Sequence, residues 1–71
     1  RQQRVGNVRL ELPDEGISLQ QVERDLIFAT LEKHEWNQTR AAMYLGISRS
    51  TLLYRMEKFS LRRPARDVES P

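Results

Sequence analysis

Residues 1–16 carry no helical period. Within them Val8, Leu10 and Leu12 alternate with Arg9 and Glu11, the pattern of a short half-buried strand, and Pro13-Asp14-Glu15-Gly16 ends it in turn-forming residues. A lone strand leaves its backbone donors and acceptors unpaired. It needs either a symmetry mate in a dimer or another part of a longer parent chain; failing both, residues 1–17 are a linker leaving an upstream domain, which is the preferred reading.

The pattern changes at Ser18. Ser18 is a suitable N-cap, Gln21 follows three residues on as in a capping box, and Ile17 is placed to staple onto Val22. The spacing predicts a helix over 19–34, with Glu23 and Asp25 early and Lys33 and His34 late, as the helix dipole favours. At about 100° per residue, Leu19, Val22, Leu26, Ala29 and Thr30 form one stripe, and Ile27, Phe28 and Leu31 carry the apolar arc further round. That arc exceeds what one small partner layer covers. Part of it is expected on the domain's own helices and part, near Ile27, Phe28 and Leu31, on a second subunit. The full candidate interface is Leu19, Val22, Leu26, Ile27, Phe28 and Leu31. The competing reading is a monomer whose three helices wrap tightly enough to bury the whole arc.

The same start signal recurs twice. Trp36-Asn37 and Ile47-Ser48 each place an apolar residue before a capping side chain, with apolar Ala41 and Leu52 at the fourth helical position. Helices are predicted over 38–45 and 49–59. Ala41, Ala42 and Leu45 form the inward face of the first, Gly46 takes the left-handed position past its end, and Ile47 plugs the core beneath the turn. Leu52, Met56 and Phe59 face inward from the second. Residues 62–71, with two prolines and little to bury, are expected to be a flexible tail. The predicted fold is all-α: a three-helix domain, residues 18–61, with a C-terminal helix-turn-helix, homodimeric through its first helix.

Size and composition narrow the function. A 71-residue chain buries only about 60% of the surface its unfolded form exposes, so a second subunit would support its core. Cysteine is absent and His34 is the single histidine, which excludes a disulfide framework and a Cys/His metal site. No stretch of the sequence approaches a membrane span or a signal peptide. The chain starts at Arg1 rather than Met, which suggests a piece of something longer. The net charge of +2 conceals an asymmetry: residues 1–36 hold five Lys/Arg and seven Asp/Glu, whereas 37–63 hold six Lys/Arg against Glu57 alone. The basic charge therefore travels with the helix pair, as an electrostatic footprint for a polyanion would.

The side chains opposite the apolar stripe of the last helix carry the candidate chemistry. Arg49, Ser50, Tyr54 and Arg55 lie there with Thr51 near the start, and no acidic residue precedes Glu57. Arginine takes a guanine edge bidentately, hydroxyls serve bases or phosphates, and the helix N-terminus offers free N–H groups to a phosphate. Double-stranded DNA is the partner this set predicts. An ordinary helical hairpin is the structural alternative, and an interaction module for an acidic protein the functional one.

Asn37-Gln38-Thr39-Arg40-Ala41-Ala42, Leu45-Gly46-Ile47-Ser48-Arg49-Ser50-Thr51-Leu52 and Lys58-Phe59-Ser60-Leu61 resemble the Fis-type helix-turn-helix, and Leu19 to Arg24 resembles the start of that family's dimerising helix. The family supplies the C-terminal DNA-binding domain of NtrC-like activators of sigma-54 RNA polymerase, and also the nucleoid protein Fis. The resemblance implies a homodimer that sets two recognition helices in successive major grooves of a roughly palindromic site. It implies backbone contacts from Asn37 and Thr39, groove or phosphate contacts from Arg49 and Thr51, and a contact further along from Arg55. With Arg40, Ser48, Ser50, Tyr54 and Lys58 these make up the expected DNA-facing set. Leu53 and Tyr54 depart from the family pattern, which often has basic residues there. Tyr54 is placed either to reach a phosphate or to cover the edge of the core. An activator fits better than a freestanding Fis-like protein, since residues 1–16 read as a linker; sigma-54 polymerase would then be met through another domain, in the bacterial cytoplasm at the nucleoid.

Nothing in the pattern supports catalysis. His34 ends a helix as a dipole partner, Ser48 is explained as a cap, Trp36 as a staple, and no Gly-rich phosphate loop occurs. No cofactor and no metal are expected.

Overall fold

A computed structural model describes residues 2–64. Three helices follow a two-stranded hairpin: β1 (Gln2–Val5), β2 (Val8–Glu11), α1 (Leu19–Lys33), α2 (Gln38–Leu45) and α3 (Arg49–Lys58). The stretch read preferentially as a linker holds instead the alternative, a short strand at Val8. Its partner is neither a symmetry mate nor a distant segment but the adjacent Gln2–Val5, antiparallel, with Val5 opposite Val8 and Arg4 opposite Arg9. The two-residue connection Gly6-Asn7, with φ 62° at Gly6, meets the positive φ that tight hairpin loops require. The expected tail lies outside the described residues from 65 onward.

All three helices begin as the sequence predicts. The side chains of Ser18, Asn37 and Ser48 accept from the backbone N–H groups of Gln21 (3.2 Å), Arg40 (3.0 Å) and Thr51 (3.1 Å). The capping box at α1 is only half made: the Gln21 side chain turns forward, its amide NH₂ donating to Asp25, and its carbonyl oxygen does not accept from the Ser18 N–H. Ile17, the expected staple, is 54% exposed.

The helices also end alike. Gly46 is left-handed (φ 72°) and, with the N–H groups of Gly46 and Ile47 bonded to the carbonyls of Met43 and Ala42, closes α2 in a Schellman motif. Ser60 (φ 55°) and Leu61 end α3 the same way, onto Glu57 and Met56. Past α1, Glu35 and Trp36 both have positive φ, and the Trp36 N–H reaches back to Leu31. Each motif swings an apolar residue onto the core: Trp36 and Ile47 pack against it and Leu61 is buried within it.

Ile27, Leu31, Ala41, Ala42, Leu52 and Leu61 form that core. Leu31 and Leu52 are fully enclosed, a burial that stabilises by about 1.5–3 kcal/mol each. Thr30 is buried with them and its hydroxyl donates to the Leu26 carbonyl at 2.8 Å. Trp36 meets Phe28 edge-to-face and donates its indole N–H to Glu32. Small side chains at Ala41 and Ala42 let α2 lie close to its neighbours, as expected.

The division of the α1 arc is the reverse of the expected one. Ile27 and Leu31, assigned to a second subunit, belong to the chain's own core, and Phe28 is half-buried against it. Leu19 (78% exposed) and Leu26 (49% exposed) are the open apolar residues, with half-buried Val22 beside them. They sit about 100° round the helix from the Ile27–Leu31 line. Val22 and Leu26, with Val8, Leu10 and Asp25, line an open cleft of about 540 Å³ between β2 and α1.

Candidate nucleic-acid interface

The Gly46 turn sets the start of α3 within side-chain reach of the start of α2. The guanidinium of Arg49, first residue of α3, donates to the side-chain oxygen of Gln38, first residue of α2, at 3.1 Å. Neither helix has an acidic residue in its first turn. Each helix start carries a partial positive charge and free N–H groups, and Thr39 and Arg40 are exposed in the first turn of α2. Gln38 is an addition to the expected site residues. Its signal is positional, since Gln38 and Arg49 each follow the cap of their helix.

At the start of α3 the hydroxyls are tightly organised. Ser48 Oγ accepts from the Thr51 N–H and donates to Thr51 Oγ1 at 2.8 Å, and lies 3.2 Å from Ser50 Oγ. Ser48 is thus occupied as a cap, which makes it a support for the surface rather than a contact on it. Thr51 Oγ1, having accepted from Ser48, keeps its own hydrogen for an outside acceptor. Asn37 is in the same position as Ser48: its carbonyl oxygen holds the Arg40 N–H, leaving its amide NH₂ free to donate.

Further along α3, Arg49, Ser50, Tyr54 and Lys58 are exposed and Thr51 is half-buried. Tyr54, at 67% exposure, stands clear of the core. Lys58 lies over the ring of Phe59 with its ammonium group 5.4 Å from the centroid. Leu53 is half-buried. Arg55 departs from expectation: its guanidinium forms an ion pair with Glu23 of α1, so it is drawn toward the body of the domain instead of standing free on the outer face.

His34 caps α1 and stacks at a tilt on Tyr44, 5.1 Å between centroids, consistent with a structural role. No group of His, Cys, Asp and Glu suited to a metal ion occurs among the described residues, and no helix there is long and apolar enough to cross a membrane.

A short support helix, a glycine turn and a capped second helix with a basic, hydroxyl-rich outer face make a helix-turn-helix. Comparison with protein families agrees: the family model described as "Bacterial regulatory protein, Fis family" matches residues 18–59. The chain belongs to that family. Its fold is thus a Fis-family helix-turn-helix DNA-binding domain. Among curated proteins it is 43% identical over 51 residues to the phenol regulator MopR of Acinetobacter guillouiae, covering 72% of this chain and 9% of MopR. It is 40% identical over 43 residues to the regulatory protein AtoC of Escherichia coli K12, 61% of this chain and 9% of AtoC. The DNA-binding protein Fis of Buchnera aphidicola is 40% identical over 45 residues, 63% of this chain and 46% of that protein. The chain thus spans about a tenth of the two regulators and under half of Fis. No solved structure matches it.

Proposed function

We propose that this domain binds double-stranded DNA sequence-specifically as a homodimer, as the enhancer-binding domain of a bacterial sigma-54-dependent activator. The observation that carries the reading is the start of α3. Ser48 caps it, Gln38 holds Arg49 at its first turn, and Ser50, Thr51 and Tyr54 follow with no acidic residue in between. Those groups match the donors that phosphates and base edges accept. Dimerisation is supported by the open strip of Leu19, Val22 and Leu26 on α1, which a second copy would cover. The regulator MopR and the regulatory protein AtoC among its relatives support the activator role; polymerase contact would then fall to another domain, in the bacterial cytoplasm. The Buchnera Fis match favours a second reading, a freestanding nucleoid protein.

Selection of bound duplexes from a random pool tests these together. An activator domain is expected to enrich a palindrome with half-sites about one helical turn apart. Enrichment of loosely related sequences would favour the Fis-like reading, and no enrichment over the input pool would refute sequence-specific binding.

A further inference from the structure

Glu23 and Arg55 form the one ion pair between helices among the described residues; the other pair, Arg24 with Asp25, lies within α1. The position of each partner is informative. Glu23 precedes Ile27 by four residues, so it continues the core-facing line of α1 one turn beyond the last buried side chain. Arg55 follows buried Leu52 by three residues, which sets it about 60° round α3, on the rim between the core and the outer face. Their side chains are 26% and 40% exposed. The next residue back from Glu23 is Val22, part of the open apolar strip.

We propose that Glu23 and Arg55 are positioning residues: a strut that fixes the tilt of the recognition helix against α1, and through it the separation of the two recognition helices in the dimer. Otherwise the two helices are linked through the shared apolar core, to which α1 contributes Ile27 and Leu31 and α3 contributes Leu52. Such packing is non-directional and leaves α3 free to pivot. A guanidinium on a carboxylate has a preferred geometry and removes that freedom. The strut anchors to the turn of α1 that carries Val22, so the tilt of α3 is referred directly to the dimer face. A small rotation there becomes a change in half-site spacing at the DNA. Arg55 then acts on spacing and reads no base.

The inference rests on the proposed dimer and its palindromic site. The test uses the full chain and the palindrome recovered by selection, rebuilt with half-sites moved one or two base pairs closer or further apart. Glu23→Gln and Arg55→Gln are each expected to keep the base preferences within a half-site. Both are expected to lower the ratio of affinity at the best spacing to that at its neighbours by about two- to fivefold, the scale of a partly exposed ion pair. The double exchange Glu23→Arg with Arg55→Glu is expected to restore the ratio, with thermal unfolding showing that each variant folds. Two outcomes overturn the proposal while leaving DNA binding intact: Arg55→Gln lowers affinity equally at every spacing while Glu23→Gln does not, or Arg55→Gln relaxes one base position. If the unaltered chain selects no palindrome, the dimer reading fails first and takes the strut with it.

Discussion

Four residues past helix ends, Glu35, Trp36, Gly46 and Ser60, hold the backbone in the left-handed region, and they differ in how well they suit it. A Cβ added at Gly46 would meet no atom within 4 Å, so glycine is required there by φ 72° and not by space. Glu35 and Ser60, both at φ 55°, adopt the same conformation with a Cβ, at a cost of about 1–2 kcal/mol. Ser60→Gly is therefore expected to raise the stability of the domain by about 0.5–1 kcal/mol in urea unfolding, glycine's greater unfolded-state entropy offsetting the rest. Arg49 is the residue whose removal should affect binding most cleanly. It is exposed and bonded to Gln38 at the surface, so Arg49→Ala should weaken specific DNA binding by about 1–3 kcal/mol and leave thermal unfolding unchanged. Unchanged affinity in a fluorescence titration would remove Arg49 from the interface.

At the scale of elements, α2 and α3 are too short to persist alone. Each is held by a cap at its start, a Schellman turn at its end and the apolar residue that each turn swings onto the core. Ser48 serves both stability and site, because the hydroxyl that caps α3 also orders Thr51. Ser48→Ala should cost about 0.5–2 kcal/mol of stability. DNA binding should fall as well, even when measured well below the unfolding temperature, since Thr51 loses the partner that orients it. Ser48→Asp would preserve the cap and place an anion at the end of α3 proposed to meet phosphate. Chemical denaturation and DNA titration of the two variants separate the two roles. The hairpin stands apart from this scheme: among the described residues the core draws on the helices and Leu61 alone, and Arg4 faces Arg9 across the strands, an unfavourable pairing of like charges.

For the whole molecule, the decisive feature is that α1 carries two lines about 100° apart. Ile27, Thr30 and Leu31 close the domain, while Leu19, Val22 and Leu26 remain open. The two lines predict different behaviour on substitution. Leu31→Ala should lower stability by about 2–5 kcal/mol by leaving a cavity. Leu26→Lys should leave the helical signal and unfolding temperature of the domain nearly unchanged and shift its sedimentation at tens of micromolar from dimer to monomer. A monomeric unaltered chain at that concentration would count against the strip as an interface.

Helix positions and their caps were legible in the sequence because the interactions that make them are local. Ser18, Asn37 and Ser48 each bind an N–H three residues away, and Gly46 turns left-handed within its own loop. The hairpin was equally local, with Gly6-Asn7 as its signal between Val5 and Val8, but its first strand has no apolar alternation to mark it. The candidate DNA-facing residues were legible by type. What each does depended on contacts between segments far apart in the chain: Arg49 with Gln38 across the turn, and Arg55 with Glu23 across two helices. The same holds for α1. Its period reveals that the apolar arc is wide, and only the packing of Leu52 and Leu61 against Leu31 decides which side of it is closed. Periodicity depends on one helix alone, whereas burial depends on where its neighbours lie.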